Sequence, residues 1–391
     1  MCGICFVCGV DVCRSQLDKL IEPDWELLKN RGPDRIKKEY LRINEKIHGV
    51  MGGCVLWLQG SSPHTQPVTD RHGNMLLWNG DVLEGYQIPK EMSDSKYLSN
   101  QLSNIVKESD ILSILSHIKG PWAFIFYHTH TRRLYFGRDA LGRHSLLWRR
   151  PTHERALFAL SSVCHRSQEG VEEVPACGVF RVDLSSVSSL TKEGFENHNE
   201  SERCYQSESE RSNGSQKQSE SEKERSTGSE SIHCIHSRID RVSGRECWRQ
   251  LQKLRPQRTW NFVQINVTRE ELQSWRVSII QHLLQPHTSV LDDSIGCSLW
   301  FATRGKGRLN NTPYTSTVRV VLSGVGADEQ LGGYSRHRGV FEAGEAGKAG
   351  GCGSGGGWSG LIREIDLEMS RIHHRNLGRD NRILAHHGRA P

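Results

Sequence analysis

The chain has 391 residues, room for two domains of ordinary size, and its hydrophobic content of 36% is low for a chain that packs throughout. Net charge is +6, with 51 basic residues spread among 45 acidic ones and no dense basic block, so nucleic-acid binding is not implied. No apolar run approaches the roughly 18 residues that span a bilayer, and the N-terminus lacks the basic start of a signal peptide. These features, with 12 cysteines that need no pairing, point to a soluble cytosolic protein with reduced thiols.

Residue 2 is a cysteine directly after the initiator methionine. Loss of Met1 would leave a thiol and a free α-amine on one residue, so nucleophile and base arrive as a unit. Cys2, Cys5, Cys8 and Cys13 also resemble a metal-binding run, but the spacing misses that of iron–sulfur proteins and no proline follows. The competing reading is a strand over 2–10, in which Ile4, Phe6 and Val10 surround small thiols suited to a buried sheet.

Leu17, Leu20 and Ile21 then mark a helix that Pro23 is expected to break, with Asp24 capping a second short helix through Trp25, Leu27 and Leu28. Arg31-Gly32-Pro33-Asp34 reads as a turn. Met75-Leu76-Leu77-Trp78 reads as a strand ending in Asn79-Gly80, a strong turn signal. Residues 123–127 and 134–136 pattern as a hairpin, and strands follow near 145–148 and 157–160. Many strands at short spacing with few helices indicate a layered α+β domain.

Residues 206–230 contain no aliphatic or aromatic side chain, so the segment has nothing to bury and reads as disordered linker or insertion. Beyond it, Phe262, Val263, Ile265 and Val267 pattern as a strand. Thr268-x-x-Glu271 is a capping box before a helix carrying Leu272, Trp275, Ile279, Ile280 and Leu283, which stops before Pro286. Val318-Arg319-Val320-Val321-Leu322 reads as a second buried strand running into Ser323-Gly324-Val325-Gly326-Ala327-Asp328-Glu329. A strand, glycine turn and acidic helix start suit an α/β domain with a ligand at the strand's C-terminal end. A glycine tract over 344–360 precedes a helix with Leu361, Ile362, Ile365, Met369 and Ile372.

Taken in order, Met1-Cys2-Gly3-Ile4, Arg31-Gly32-Pro33-Asp34, Gln66-Pro67, Trp78-Asn79-Gly80, Ser93-Asp94 and Gly137-Arg138-Asp139-x-x-Gly142-Arg143 resemble the glutaminase domain of class II glutamine amidotransferases. The second half resembles the synthetase domain of glutamine-hydrolysing asparagine synthetases. The matching segments are Leu291-Asp292-Asp293-Ser294-Ile295-Gly296, Leu322-Ser323-Gly324 through Ala327-Asp328-Glu329, Gly333-Tyr334 and Arg379-Asp380-Asn381-Arg382. The resemblance implies an N-terminal nucleophile hydrolase sandwich (α/β/β/α) over 2–190 and a linker over 191–235. An incomplete α/β adenine-nucleotide-binding domain would fill 236–391, without the family's sequence beyond Gly388.

The resemblance also implies roles. Cys2 would attack the glutamine side-chain amide, Asn79 and the Gly80 N–H would hold the oxyanion, and Asp94 would bind the substrate's α-ammonium. Each has a plainer alternative: Asn79-Gly80 as a hairpin turn, Asp94 as a helix cap. The family clamps the substrate carboxylate with an arginine; here the stretch Gly52–Leu58 has none, Leu56 falls nearest, and Arg31 is the candidate substitute.

In the second half, ATP and Mg²⁺ are the implied cofactors, with Ser323, Gly324, Asp328 and Glu329 as their residues. The two carboxylates equally suit a helix N-terminus. The family's pyrophosphate loop is missing, and Val325 stands where active relatives have a glutamate. Ser354-Gly355-Gly356-Gly357-Trp358-Ser359 and Gly351-x-Gly353-x-x-Gly356 are accidents of a glycine-rich linker. The implied activity is ATP-dependent amidation of aspartate to asparagine with ammonia from glutamine; oligomeric state is left open. A protein that keeps the fold without the synthetase reaction, as a pseudoenzyme or interaction protein, is the alternative.

Overall fold

The computed structural model describes residues 1–105, 107–192, 195, 238–346 and 356–390. Apart from its first two residues and Phe195, the expected 191–235 linker lies outside them, as does the glycine tract over 347–355.

The first half is built from two sheets facing each other. In sequence order its elements are β1 (Gly3–Val10), α1 (Arg14–Arg31), β2 (Arg35–Arg42), β3 (Ile47–Val55), β4 (Val68–Thr69), β5 (Met75–Gly80), α2 (Asp94–Leu102) and α3 (Glu108–Ser116). β6 (Trp122–His128), β7 (Arg133–Arg138), β8 (Leu147–Arg149), β9 (Leu157–Ser161), β10 (Val171–Glu173) and β11 (Val179–Asp183) complete it. One sheet runs β10-β8-β9-β1-β3-β2, the other β11-β7-β6-β5-β4, and the pairings are antiparallel.

Alternation along each strand decides the layers. Ile4, Phe6 and Cys8 of β1 point between the sheets and meet Leu77, Ile125, Phe136 and Phe158. Val7, one register step away, faces Leu17 and Ile21 of α1. On the far side, Leu76, Trp78, Phe124 and Phe126 pack on Leu98 and Leu102 of α2 and Ile111 and Leu115 of α3. The result is α/β/β/α, the order expected. The same alternation separates the N-terminal thiols. Cys5 lies in the cluster with Leu28 and Cys54, Cys8 lies between the sheets, and Cys13 is exposed. Residues three apart on a strand face opposite sides, so these cysteines cannot converge on one ion.

Pro23 does not break the first helix. α1 is continuous over Arg14–Arg31 with the proline inside, and Asp24 caps nothing: its Oδ1 accepts from the His165 N–H at 2.6 Å. The lost backbone bond is offset by a buried face of Leu17, Ile21, Leu27 and Leu28. The helix ends where the backbone must pass close to β3; a Cβ on Gly32 would lie 1.9 Å from the Cys54 carbonyl oxygen.

The second half is helical among the described residues, with one hairpin, Lys306–Leu309 with Thr312–Thr315. Thr268 caps the helix as expected, its side chain accepting from the Glu271 N–H, although the Glu271 carboxylate turns to Arg304 instead of closing the box. Two expected strands are absent. Residues 262–267 make only a bridge from Gln264 to Arg308. Residues 318–322 are extended but open to solvent, with Val320 56% and Leu322 96% exposed, and their one bridge joins Val320 to Ala390. An apolar run becomes a buried strand only where a sheet receives it, and none does here.

Helix Gly378–Ala385 is buried along its whole length and joins the halves. Its Ile383, with Leu283, Leu284, Trp300 and Phe301, packs on Cys5, Leu27, Leu28 and Cys54 of the sandwich. Arg382, with no exposed side-chain surface, reaches Glu173 at 2.5 Å, Ser145 Oγ at 3.0 Å and the Leu283 carbonyl at 2.9 Å. Arg379 pairs with Asp380 and with Asp292 at the start of helix Val290–Arg304. Two of the segments that carried the resemblance therefore bind each other, and one of them clamps the sandwich.

Candidate active site

Cys2 lies at the head of β1, in a cleft of about 490 Å³, open mouth included, between the ends of β3 and β5. The Cys2 backbone N–H donates to Asn79 Oδ1 at 2.9 Å. This fixes the amide's orientation, so Asn79 Nδ2 is the free end; it is buried and has no partner. A buried amide donor without an acceptor is costly, which marks it as a group waiting for one.

Asn79 and Gly80 are not a hairpin turn. They are the last residues of β5, paired with Ala123 and Trp122 of β6, and a Cβ on Gly80 would lie 2.7 Å from the Trp122 Cβ. Sheet pairing overrides the local turn preference of Asn-Gly and holds both residues beneath Cys2.

Asp94 is nine-tenths buried and lines the cleft. It is not the helix cap; Ser93 is, its side chain accepting from the Lys96 N–H. Asp94 accepts from Trp78 Nε1 at 3.0 Å and the Ser95 N–H at 2.7 Å. Burial, and then the neighbouring Asp81 carboxylate, push Asp94 up from 3.8 to about 7. Burial raises Asp81 as well.

The sign of the stability effect follows. Between pH 3.8 and 7 the folded protein holds a proton on Asp94 that the unfolded one has lost, so stability falls as pH rises through that window. Asp94→Asn is expected to be more stable than wild type at pH 8, on the order of a few kcal/mol, with the gap closing below pH 4. Urea unfolding at several pH values measures this; equal stability at pH 8 would contradict it.

Two residues of the site have no role assigned in the sequence analysis, although Gln66 belongs to the Gln66-Pro67 match. Gln66 bridges β5 from the side: its Oε1 accepts from the Trp78 N–H at 2.7 Å, and its Nε2 donates to the Trp78 carbonyl at 3.0 Å and lies 3.7 Å from Cys2 Sγ. Asp81 follows Asn79-Gly80 directly and lines the cleft. Its position after that pair was the only available signal, and a lone carboxylate carries little. Arg31, the candidate carboxylate clamp, does not line the cleft. It is fully buried and donates to Asn381 Oδ1 at 3.0 Å and, at 3.5 Å, to the Cys2 carbonyl. Burial, and then the nearby Arg382, lower it to about 9. Leu56 stands in the cleft instead.

Met1 is present and buried against Leu56, Ala385 and Ala390. Burial chiefly lowers its α-amine to about 6, while the Cys2 thiolate, Asp81 and Asp94 favour its charged form. Burial likewise raises the Cys2 thiol, opposed first by the positive Met1 amine and then by a hydrogen bond from the Leu56 backbone. Removing Met1 moves that amine onto Cys2 itself, at the nitrogen now held by Asn79.

The residues expected to serve ATP and Mg²⁺ do not form a comparable site. Ser323, Gly324 and Asp328 are exposed, and nothing lies within 4 Å of where a Gly324 Cβ would stand, so the described residues form no cradle for a phosphate there. Glu329 is buried and engaged by the Tyr334 hydroxyl at 2.7 Å and by Asn376 Nδ2. The helix they open, Ala327–Leu331, is a single short turn and a half. Among the described residues no cluster of three or more His, Cys, Asp or Glu could hold a metal ion, and no helix is long and apolar enough to cross a membrane.

Comparison with known proteins agrees with this geometry. A family model described as a glutamine amidotransferase domain matches residues 1–184. Asparagine synthetase domain-containing protein 1 from Bos taurus is 31% identical over an alignment of 565 positions that covers 100% of this chain and 86% of the relative. Its Homo sapiens counterpart is 29% identical, with 100% and 85% covered. The bovine alignment exceeds the 391 residues here, so at least 565 − 391 = 174 of its positions face no residue of this chain. Among solved structures, glutamine phosphoribosylpyrophosphate amidotransferase from B. subtilis complexed with ADP and GMP is 16% identical with a TM-score of 0.37, over 47% of this chain and 48% of that one. With a Cys2 cleft at the head of an α/β/β/α sandwich, the chain belongs to the family of asparagine synthetase domain-containing protein 1, and its first half is a glutamine amidotransferase domain.

Proposed function

We propose that the protein, once Met1 is removed, is a Cys2-dependent amidase that releases ammonia from a primary amide of the glutamine class. The observation that carries this reading is the pairing of Cys2 N with Asn79 Oδ1, which leaves Asn79 Nδ2 as a buried donor without a partner. The Cys2 thiolate attacks the amide carbon, and the oxyanion takes hydrogen bonds from Asn79 Nδ2 and the Gly80 N–H. The α-amine passes the thiol's proton to the departing nitrogen, the C–N bond breaks, and ammonia leaves a thioester on Cys2. Water then attacks the thioester, the amine accepts its proton, and acid and thiol separate. Asp94 and Asp81 hold the substrate's ammonium.

Asn79→Ala is expected to lower kcat for ammonia release by about 10²–10³, because one oxyanion donor is lost. A fall of less than tenfold would remove Asn79 from the oxyanion site.

For the second half we propose the role of a docked partner to the amidase, not the ATP-dependent amidation of aspartate. This reading is supported by the exposed Ser323-Gly324, by the engagement of Glu329 with Tyr334 and Asn376, and by the buried clamp of Arg382 on Glu173. ATP–pyrophosphate exchange in the presence of aspartate tests it; none is expected, and robust exchange would overturn it.

A further inference from the structure

We infer that the Cys2 cleft selects primary amides that carry a free α-amine beside a blocked carboxyl, and foremost the N-terminal glutamine of a peptide, over free glutamine. This rests on the Cys2 amidase reading and specifies its substrate.

The charges in the cleft lead to it. Among the described residues its lining carries two carboxylates, Asp81 and Asp94, and no lysine or arginine. The one lining side chain able to carry positive charge is His64, which is exposed. Arg31 lies behind the cleft with its donors directed to Asn381 and to the Cys2 carbonyl. A free α-carboxylate would enter beside two acids, against Leu56, with no lysine or arginine among the described lining residues to replace its water. An amide carbonyl in the same place brings no charge and needs no counter-ion.

A second observation is independent of the lining count. Met1, whose carbonyl is in a peptide bond, lines the cleft, and its α-amine lies in the field of Asp81 and Asp94 as well as of the buried Arg31. A third is the mouth, where Trp57 and Leu58 line the cleft while 39% and 38% exposed. Large apolar side chains left open at a cleft offer a surface for the residue that follows the glutamine.

The reaction balances without any further reagent. The C–N bond of the glutaminyl primary amide breaks as the Cys2 S–C bond forms, ammonia leaves with the proton relayed by the α-amine, and water cleaves the thioester to a glutamyl peptide. Nothing is oxidised or reduced.

The test compares kcat/KM for four substrates on the full-length protein with Met1 removed: glutamine, glutamine N-methylamide, the dipeptide glutaminyl-leucine and N-acetylglutamine. Product masses distinguish hydrolysis from spontaneous cyclisation of N-terminal glutamine, and the Cys2→Ala variant gives the background. The N-methylamide and the dipeptide are expected to exceed free glutamine by at least tenfold, with N-acetylglutamine at background. Free glutamine turned over as well as or better than the blocked substrates overturns this selectivity and leaves the amidase reading intact. No Cys2-dependent hydrolysis of any of the four overturns both.

Discussion

Cys2→Ser is expected to abolish ammonia release, with kcat falling by at least about 10³ while the fold is unchanged. The size of the effect follows from the chemistry. A hydroxyl remains protonated where a thiol begins to ionise, so far less of it is nucleophilic beside the same α-amine. Burial raises the Cys2 thiol, so its reactivity depends on the amine's positive charge and on the hydrogen bond from Leu56. The same logic makes Met1 decisive. A protein that keeps Met1 has an amide nitrogen at Cys2, tied to Asn79, and its first residue sits in the cleft. Such a form is expected to be as inactive as Cys2→Ser. Ammonia release by both forms, alongside circular dichroism, checks this; comparable turnover by Cys2→Ser would remove Cys2 from the chemistry, and by the Met1-bearing form would remove the free α-amine.

The largest stability effect is expected at the joint between the halves. Arg382→Met removes a guanidinium that has no exposed surface and leaves Glu173, itself buried, with only Arg138 at 3.3 Å and His287 at 3.6 Å nearby. Burial alone would raise Glu173; Arg382, the neighbouring His287 and Arg138 hold it well below the usual carboxylate range instead. Breaking a buried pair by removing one partner costs about 3–5 kcal/mol, mostly from the charge left behind. Amides of the Gly378–Ala385 helix should then exchange with solvent on the order of 10²–10³ times faster. The double variant with Glu173→Gln should recover part of the loss, because no charge is stranded. Unchanged exchange in Arg382→Met would mean the helix is held by its apolar contacts with Leu27, Leu28 and Cys54 alone.

Most of the sandwich was legible in the sequence, and the reason is periodicity. β1, β6, β7 and β9 alternate or run apolar over lengths that only strands use, and the structure places them there. What failed were local rules overridden by packing. Pro23 reads as a helix stop, yet α1 continues through it because Leu27 and Leu28 beyond it have a buried place to go. Asn79-Gly80 reads as a turn, yet strand pairing with β6 extends past it. Val318–Leu322 reads as a buried strand, yet it has no strand neighbour beyond the single bridge to Ala390.

The site was legible only in part. Cys2 and Asn79 are brought into direct contact by the fold, and Asp94 reaches the same cleft from α2. Gln66, present only in the Gln66-Pro67 match, and Asp81 received no role, because a glutamine before a proline and an aspartate after a glycine carry no chemistry on their own. Arg379-Asp380-Asn381-Arg382 was read as part of a nucleotide-binding half. Its actual partners, Glu173, Ser145 and Arg31, lie more than 200 residues away in the sequence, and no local pattern could reveal them.

The central claim is that one residue, Cys2, exposed by loss of Met1, is the nucleophile of this cleft. Intact-mass measurement after treatment with a diazoketone analogue of glutamine, offered with a free and with a blocked carboxyl, tests it most directly. The expected result is a protein lighter by one methionine that gains a single adduct, mapped to Cys2 and absent from Cys2→Ala. An adduct mapped to another residue, or a processed protein that neither analogue labels, would contradict it.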